Sequence, residues 1–223
     1  ASVVALDAAT GKQRWKVDRE SGTACYSTPC LYQPAGKPPE LILTNWVSGV
    51  IALDPKTGKT LWSAKPFDPN TQERSIASPV IAGDLILATS GFITGRKEFV
   101  ALRPGGDTAK EIWRREREVA HMATPLVKGE RVYLFSEQGF ATCLDAKSGK
   151  EIWQDRLGGT FSSSPLCIGN HIFCISDSGD VFVLDAKDEF QLTGPSKLGE
   201  KVQATPAIVN GRMIIRTEKS LIS

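Results

Sequence analysis

The residues of this chain that could do chemistry are two histidines, five cysteines and an acidic phrase that recurs along the sequence. His121 and His171 are 50 residues apart, and neither has a partner at the spacing of metal ligands. We therefore expect neither a zinc site nor a histidine-based triad. His171 follows a predicted hairpin turn and is expected at the surface. His121 lies on the loop that enters a predicted first strand. If the strands form a propeller, we expect it to line the mouth of the central channel as an ordinary polar residue.

The cysteines indicate buried apolar residues rather than a disulfide framework. Their number is odd, and the sequence has neither a CxxC pair nor a CxxCH haem site. At least one thiol is therefore unpaired within this chain. Cys167 and Cys174 would be offset diagonally across a hairpin, which is a poor geometry for a bridge.

Two further patterns are weak. Asp177 and Asp180 resemble part of a calcium loop, but the further alternating ligands and the terminal Glu are missing, so a tight turn is predicted. The glycines form no phosphate-binding loop before a helix, so nucleotide binding has no support.

The phrase Ala-Leu-Asp-x-x-Thr-Gly-x-x-x-Trp at residues 5–15 returns at residues 52–62 and, with Cys and Ser substitutions, at residues 143–153. A cofactor needs one site rather than one per repeat, so we interpret the phrase as a turn followed by a docking residue. The Asp and Gly make the turn, and the Trp fills the seam to the next unit. The residues assigned to this structural role are Asp7, Gly11, Trp15, Asp54, Gly58, Trp62, Trp113, Asp145, Gly149, Trp153 and Asp185.

Two copies of the phrase depart from the pattern. The third has Arg103 in place of the turn Asp, with two extra residues before Trp113. The fifth keeps Asp185 but has Phe190 in place of the tryptophan. We expect those seams to be looser, or to be packed by Phe190.

A second marker repeats with a similar period: a Ser-Pro or Thr-Pro pair at the start of each predicted first strand. Its prolines are at positions 29, 79, 125, 165 and 206. Apolar runs, Gly-centred turns and the recurring phrase then predict four antiparallel strands per repeat and no helix. Four-stranded units at this period are the blades of an all-β propeller.

The blade boundaries follow from these markers. We predict a single, partial β-propeller over residues 1–223, with four full blades and two partial ones. The full blades are residues 24–66, 76–116, 121–157 and 162–194, and the partial blades are residues 1–18 and 202–223. A third strand is predicted at both ends, at residues 3–6 and 221–223, and duplicate strands cannot close a ring. We therefore expect an arc of a seven- or eight-bladed parent, whose missing blades are one expected partner.

The phrase at residues 5–15 and 52–62 resembles the tryptophan-docking motif of the pyrroloquinoline quinone (PQQ) repeat propellers. The resemblance spans essentially the whole chain and implies a quinoprotein-like fold in the bacterial periplasm or cell envelope. It covers three functions: a non-catalytic protein-binding scaffold like the outer-membrane assembly lipoprotein, a PQQ-dependent alcohol or sugar dehydrogenase, and a ligand-sensing domain of a signalling protein. Quinoprotein dehydrogenases resemble one another in carrying adjacent cysteines beside PQQ and calcium, and this sequence has no adjacent cysteines.

We therefore expect a scaffold that binds another protein, with no catalytic residues, cofactor or metal; PQQ and calcium belong only to the dehydrogenase alternative. Loops on a rigid scaffold carry function, and the loops entering first strands or joining second to third strands are the candidates. The apolar pair Phe92 and Ile93 is expected at an exposed loop tip. The candidate partner or ligand face comprises Tyr26, Trp46, Arg74, Phe92, Arg96, His121, Met122, Gln138, Phe161 and Gln203.

Composition narrows the partners further. With 27 Lys and Arg against 25 Asp and Glu, the chain has no basic stripe for nucleic acid. No apolar stretch approaches the roughly 20 residues of a membrane span. The sequence opens without Met and already inside a repeat, so any signal peptide is expected upstream of residue 1 or removed.

Overall fold

A computed structural model describes residues 1–20, 24–71, 73–92 and 95–223. Regular secondary structure within these residues is β-strand throughout, and every strand pairing is antiparallel. This part of the chain has no helix long and apolar enough to span a bilayer. The predicted all-β class, built from four-stranded antiparallel sheets, is confirmed.

The chain divides into two compact units, Ala1–Arg115 and Glu116–Ser223. The first unit begins with a two-stranded sheet, β1 (Ser2–Leu6) and β2 (Gln13–Asp18). Two four-stranded sheets follow. Their strands are β3 (Cys30–Tyr32), β4 (Glu40–Asn45), β5 (Gly49–Leu53) and β6 (Thr60–Ala64), then β7 (Val80–Ala82), β8 (Leu85–Gly91), β9 (Lys97–Gly105) and β10 (Thr108–Arg115).

The second unit contains two four-stranded sheets and one three-stranded sheet. The first holds β11 (Leu126–Lys128), β12 (Arg131–Phe135), β13 (Phe140–Asp145) and β14 (Glu151–Arg156). The second holds β15 (Leu166–Ile168), β16 (His171–Ile175), β17 (Asp180–Asp185) and β18 (Leu192–Lys197). The third holds β19 (Ala207–Val209), β20 (Arg212–Arg216) and β21 (Leu221–Ile222).

Alternating side chains of neighbouring sheets form the core of each unit. In the first unit, Ile42 and Val50 of one sheet pack with Ile86 and Val100 of the next. In the second unit, Tyr133 and Phe182 belong to one cluster that joins its two four-stranded sheets. All seven residues of β8 are buried, so the side chains on both faces of this strand are shielded from solvent.

The third copy of the repeat has a lengthened hairpin that reaches the neighbouring sheet. Its extra residues extend β9 and β10 to a tight turn, with Gly105 opposite Thr108. The Thr108 hydroxyl donates to the carbonyl of Ser63 at 3.0 Å, and the Ser63 N–H donates to the carbonyl of Asp107 at 3.2 Å. Two hydrogen bonds therefore bridge the seam at which the sequence predicted looser packing.

Candidate functional site

The first docking contact joins the two-stranded sheet to the sheet β3–β6. The Trp15 indole N–H donates to the carbonyl of Pro55 at 3.0 Å, within the turn that follows β5. Gly58 ends that turn with φ +75°, and a Cβ added there would lie 2.7 Å from the Trp15 ring. The glycine thus provides both the left-handed turn and a flat surface for the indole.

The second docking contact joins the two four-stranded sheets of the second unit. The Trp153 indole N–H donates to the carbonyl of Lys187 at 3.1 Å. The ring of Phe190 lies edge-on to Trp153, with 5.2 Å between the ring centroids. Phe190 therefore packs against Trp153 at the seam between these two sheets.

Trp62 makes a different contact, and Trp113 has an aromatic partner within its own sheet. The Trp62 indole N–H donates at 2.6 Å to a carboxylate oxygen of Glu40, a residue of the same sheet. Trp113 packs edge-on against Phe99, also in its own sheet, with centroids 5.3 Å apart. The turn that contains Arg103 lacks the Asp-x-x-Ser/Thr-Gly form. The sheet β7–β10 therefore does not offer Trp62 a turn carbonyl like those that accept from Trp15 and Trp153.

The turn aspartates act as local acceptors. Asp7 and Asp145 each accept a backbone N–H and a hydroxyl three residues on, from Thr10 and Ser148 respectively, and Asp54 accepts the N–H of Lys56. These hydrogen bonds hold the pKa values of the three carboxyls below their ordinary value. Asp185 instead faces His171, with 3.1 Å between Oδ1 and Nδ1, and lies 3.5 Å from the Lys187 ammonium. His171 is exposed, as expected.

Glycine supplies the positive φ that each turn needs. Gly11 has φ +69° and Gly149 has φ +70°, close to the value at Gly58. A Cβ added at Gly11 would meet no atom within 4 Å, in contrast to Gly58. The turn therefore requires the positive φ of glycine in all three copies.

Three of the ten residues of the candidate face are buried rather than exposed. Phe161 is 0% exposed and packs edge-on between Phe135 and Phe182. Trp46 is 7% exposed at the tight turn between β4 and β5. His121 is 4% exposed, on a segment whose backbone N–H donates to Glu137 at 2.8 Å. These positions correct the expectation that these side chains lie at a binding surface, because each loop folds its larger side chain inward.

The first unit brings four of the remaining residues onto connected segments. The N–H of Tyr26 donates to the carbonyl of Ser75, Arg74 and Gly91 exchange backbone hydrogen bonds, and the N–H of Phe92 donates to the carbonyl of Arg96. Tyr26 is 61% exposed and Phe92 is 40% exposed, whereas Arg74 is half-buried. Ile93, the expected neighbour of Phe92 at the tip, lies outside the described residues.

The second unit places the other candidates on two separate loops. Glu137 accepts the backbone N–H of Met122 at 2.8 Å, so Met122 and Gln138 lie on adjoining segments. Met122 is half-buried and Gln138 is exposed. Gln203 is exposed beside Lys201 and Arg216.

A buried ion cluster in the first unit was not predicted from the sequence. Glu98 is 1% exposed, and one of its carboxylate oxygens binds both Arg114 and Arg96, the latter at 2.7 Å. Arg114 also donates at 2.7 Å to the carbonyl of Pro66, which follows the end of β6. Burial raises the pKa of Glu98, while the two arginines oppose the shift. The two-residue period of a strand could have predicted the burial of Glu98, because Glu98, Val100 and Leu102 lie on the same face.

The thiols and carboxylates of the described residues do not gather into a metal site. No three His, Cys, Asp or Glu side chains in the described ranges come together as ligands of one ion. All five cysteines are free thiols. Burial raises the pKa of Cys30 and of Cys143 to about 11, and it raises that of Cys174 well above its ordinary value. These thiols are therefore protonated near neutral pH and poor nucleophiles.

Repeated four-stranded sheets, joined by an indole docked on the next sheet's turn, define this protein as a β-propeller of the PQQ-like repeat type. The family model described as outer membrane protein assembly factor BamB matches residues 1–108 and 101–192. The chain belongs to this family.

The individual similarities divide between two kinds of protein. The chain is 32% identical over 117 residues to the quinohemoprotein alcohol dehydrogenase ADH IIB of Pseudomonas putida, a match that covers 50% of this chain and only 17% of that protein. BamB of Moraxella catarrhalis is 18% identical with a TM-score of 0.56, covering 97% of this chain and 76% of that one. The quinohemoprotein alcohol dehydrogenase of Comamonas testosteroni is 15% identical with a TM-score of 0.65, covering 94% and 43%. At these identities the two solved structures support the fold alone.

Proposed function

We propose that residues 1–223 are part of a non-catalytic propeller that binds another protein as a scaffold in the bacterial cell envelope. The observation that carries this proposal is the use of the recurring tryptophans. Trp15 and Trp153 have their N–H groups and ring faces committed to neighbouring turns. The residues that identify the family therefore build the scaffold, and the exposed loops remain for recognition.

The exposed loop residues have the chemistry of protein contacts. Tyr26 and Phe92 expose large rings. Arg96, on the same connected segments, is an exposed cation. Aromatic residues and arginine are enriched at protein interfaces because they combine apolar area with directed polar groups. The match to a family described as an outer membrane protein assembly factor supports the same function.

A PQQ-dependent dehydrogenase is the second candidate, and the 32% identity to the Pseudomonas putida enzyme favours it. Among the described residues, no three His, Cys, Asp or Glu side chains come together as ligands of one ion. Calcium requires several oxygen ligands, whereas the buried Glu98 carboxylate is bound by Arg96 and Arg114. We therefore derive no reaction step from these residues.

Reconstitution separates the two candidates. The natural full-length polypeptide, purified without cofactor, is titrated with PQQ and calcium and assayed for dye reduction with primary alcohols and sugars. We expect no stoichiometric binding and no turnover, with an authentic quinoprotein dehydrogenase as the positive control. Stoichiometric PQQ binding with turnover would overturn the scaffold proposal.

A further inference from the structure

Two nucleophilic side chains meet between the two four-stranded sheets of the second unit. Lys128 ends β11, and Cys167 is the middle residue of β15 in the next sheet. The Lys128 Nζ lies 3.5 Å from the Cys167 Sγ. Leu126 of β11 and Cys167 both pack against the apolar cluster that joins these sheets. The contact therefore lies at a seam between two four-stranded sheets of one compact unit.

The hairpin β15–β16 holds the Lys128 ammonium beside the sulfur. The ammonium donates to the Asn170 Oδ1 at 2.9 Å, to the carbonyl of Gly169 and to the Cys167 Sγ. Because an ammonium carries three protons, these three acceptors can use all of them. The neighbouring sheet thus anchors Lys128 with its nitrogen in contact with the thiol.

Cys167 differs from the cysteines of the core in its access to solvent and in its neighbour. Cys143 and Cys174 are 0% and 1% exposed, and burial raises the pKa of both thiols. Cys167 is half-buried, so a small oxidant can reach its sulfur. A neighbouring lysine is characteristic of reactive cysteines, because the cation favours the thiolate that oxidants attack. An oxidisable sulfur therefore lies next to a nitrogen that can react with its oxidised form.

We propose that Cys167 and Lys128 form a reversible covalent S–N bond, a sulfenamide, when the protein meets hydrogen peroxide. Sulfenic acids condense with backbone nitrogens in this way, and a deprotonated amine is a stronger nucleophile than an amide. The bond joins β11 to β15 and so links two neighbouring sheets. The inference is independent of the proposed function, since a scaffold and a dehydrogenase would carry the same pair of residues.

The reaction has two balanced steps. The Cys167 thiolate attacks one oxygen of the peroxide, so that an S–O bond forms, the O–O bond breaks and the leaving hydroxide takes a proton to become water. Sulfur loses two electrons in this step, and the peroxide gains them. Lys128 then releases one proton to solvent and attacks the sulfur through Nζ, so that an S–N bond forms and the S–O bond breaks. The leaving hydroxide takes a second proton from Nζ and becomes water.

Peptide mapping tests the proposal. The natural full-length polypeptide is reduced, freed of reductant, treated with hydrogen peroxide and digested with trypsin without reductant. We expect a linked pair of peptides that contain residues 128 and 167, lighter by two hydrogens than the sum of the separate peptides. Trypsin should no longer cleave after Lys128, and dithiothreitol should restore the cleavage and both peptides. The linked protein should also unfold at a higher urea concentration than the reduced one.

The variant Lys128→Arg separates the two steps. A guanidinium keeps the positive charge and the donors but stays protonated, so it cannot attack sulfur. We expect Cys167 to stop at the sulfenic acid, which dimedone traps, with loss of the linked peptides and of the urea shift. Lys147→Arg is the matched control, because Lys147 is exposed and pairs with Glu130, and it should leave the link unchanged. Near-ultraviolet circular dichroism confirms that each variant is folded before oxidation.

Four results would overturn the proposal. Cys167 could stay reduced under peroxide, it could be oxidised without any link to Lys128, it could link to another lysine or cysteine, or the link could persist in Lys128→Arg. The peptide map of the natural sequence decides the first three without any variant. None of these results bears on the scaffold function, which falls only if PQQ supports turnover.

Discussion

The indole of Trp15 lies directly against Gly58, so that a Cβ at position 58 would be 2.7 Å from the ring. This contact joins two sheets through one residue that has no side chain. Its geometry makes glycine necessary for two reasons, the positive φ of the turn and the space for the indole.

Gly58→Ala should therefore destabilise the protein more than Gly83→Ala, because a Cβ added at Gly83 would meet no atom within 4 Å. Both glycines have positive φ, so both substitutions pay a backbone cost of about 1 kcal/mol. Only Gly58→Ala also drives a methyl group into Trp15, which adds about 1–3 kcal/mol. Urea unfolding followed by tryptophan fluorescence measures both, and equal losses would contradict the docking role of Gly58.

Phe190→Ala should weaken the second docking contact by about 2 kcal/mol, because it removes the edge-on partner of Trp153 and leaves a gap at the seam. Phe92→Ala is the control, since that ring is exposed and its loss should change the free energy of unfolding by less than about 0.5 kcal/mol. If the two variants unfold at the same urea concentration, Phe190 does not stabilise the docking of Trp153.

The Trp62–Glu40 hydrogen bond should make Glu40→Ala costly, by about 1–3 kcal/mol, because the buried indole N–H loses its acceptor. Glu40→Gln keeps an acceptor oxygen and should lose less. A double-mutant cycle with Trp62→Phe measures the coupling in free energy of unfolding, and additive losses would show that the bond contributes nothing.

Glu98 should make the protein less stable as pH rises from its ordinary pKa of 4.5 through the higher pKa of the folded state. The sign follows from the raised pKa: in this window the folded state binds more protons than the unfolded state, so stability falls with pH. Glu98→Gln removes the titrating group. The slope of the unfolding free energy against pH should therefore become less negative. Chemical denaturation between pH 4 and pH 8 measures it, and an unchanged slope would mean that Glu98 is not desolvated.

The repeated units show which structural features can be predicted from local sequence patterns. The Asp-x-x-Ser/Thr-Gly turn is a matter of a few neighbouring residues, so the hydrogen bonds at Asp7 and Asp145 could be predicted from the phrase alone. Strand alternation is equally local. For these reasons the all-β class and the four-stranded sheets followed from the sequence.

The candidate site was predicted less completely, because burial depends on what the rest of the fold places against a loop. Trp46, His121 and Phe161 lie on loops whose composition suggested exposure, and each turns into the interior. Glu98 carried no motif, and its importance comes from the two arginines that the fold places against it.

By itself, the sequence determined the repeat and the turns, because these depend on spacing and on local hydrogen bonds. Only the tertiary structure decided which partner each tryptophan finds: the carbonyl of Pro55 for Trp15, the carboxylate of Glu40 for Trp62. The difference arises because an indole N–H takes whichever acceptor the neighbouring sheet places within reach, and that placement is set by packing between sheets.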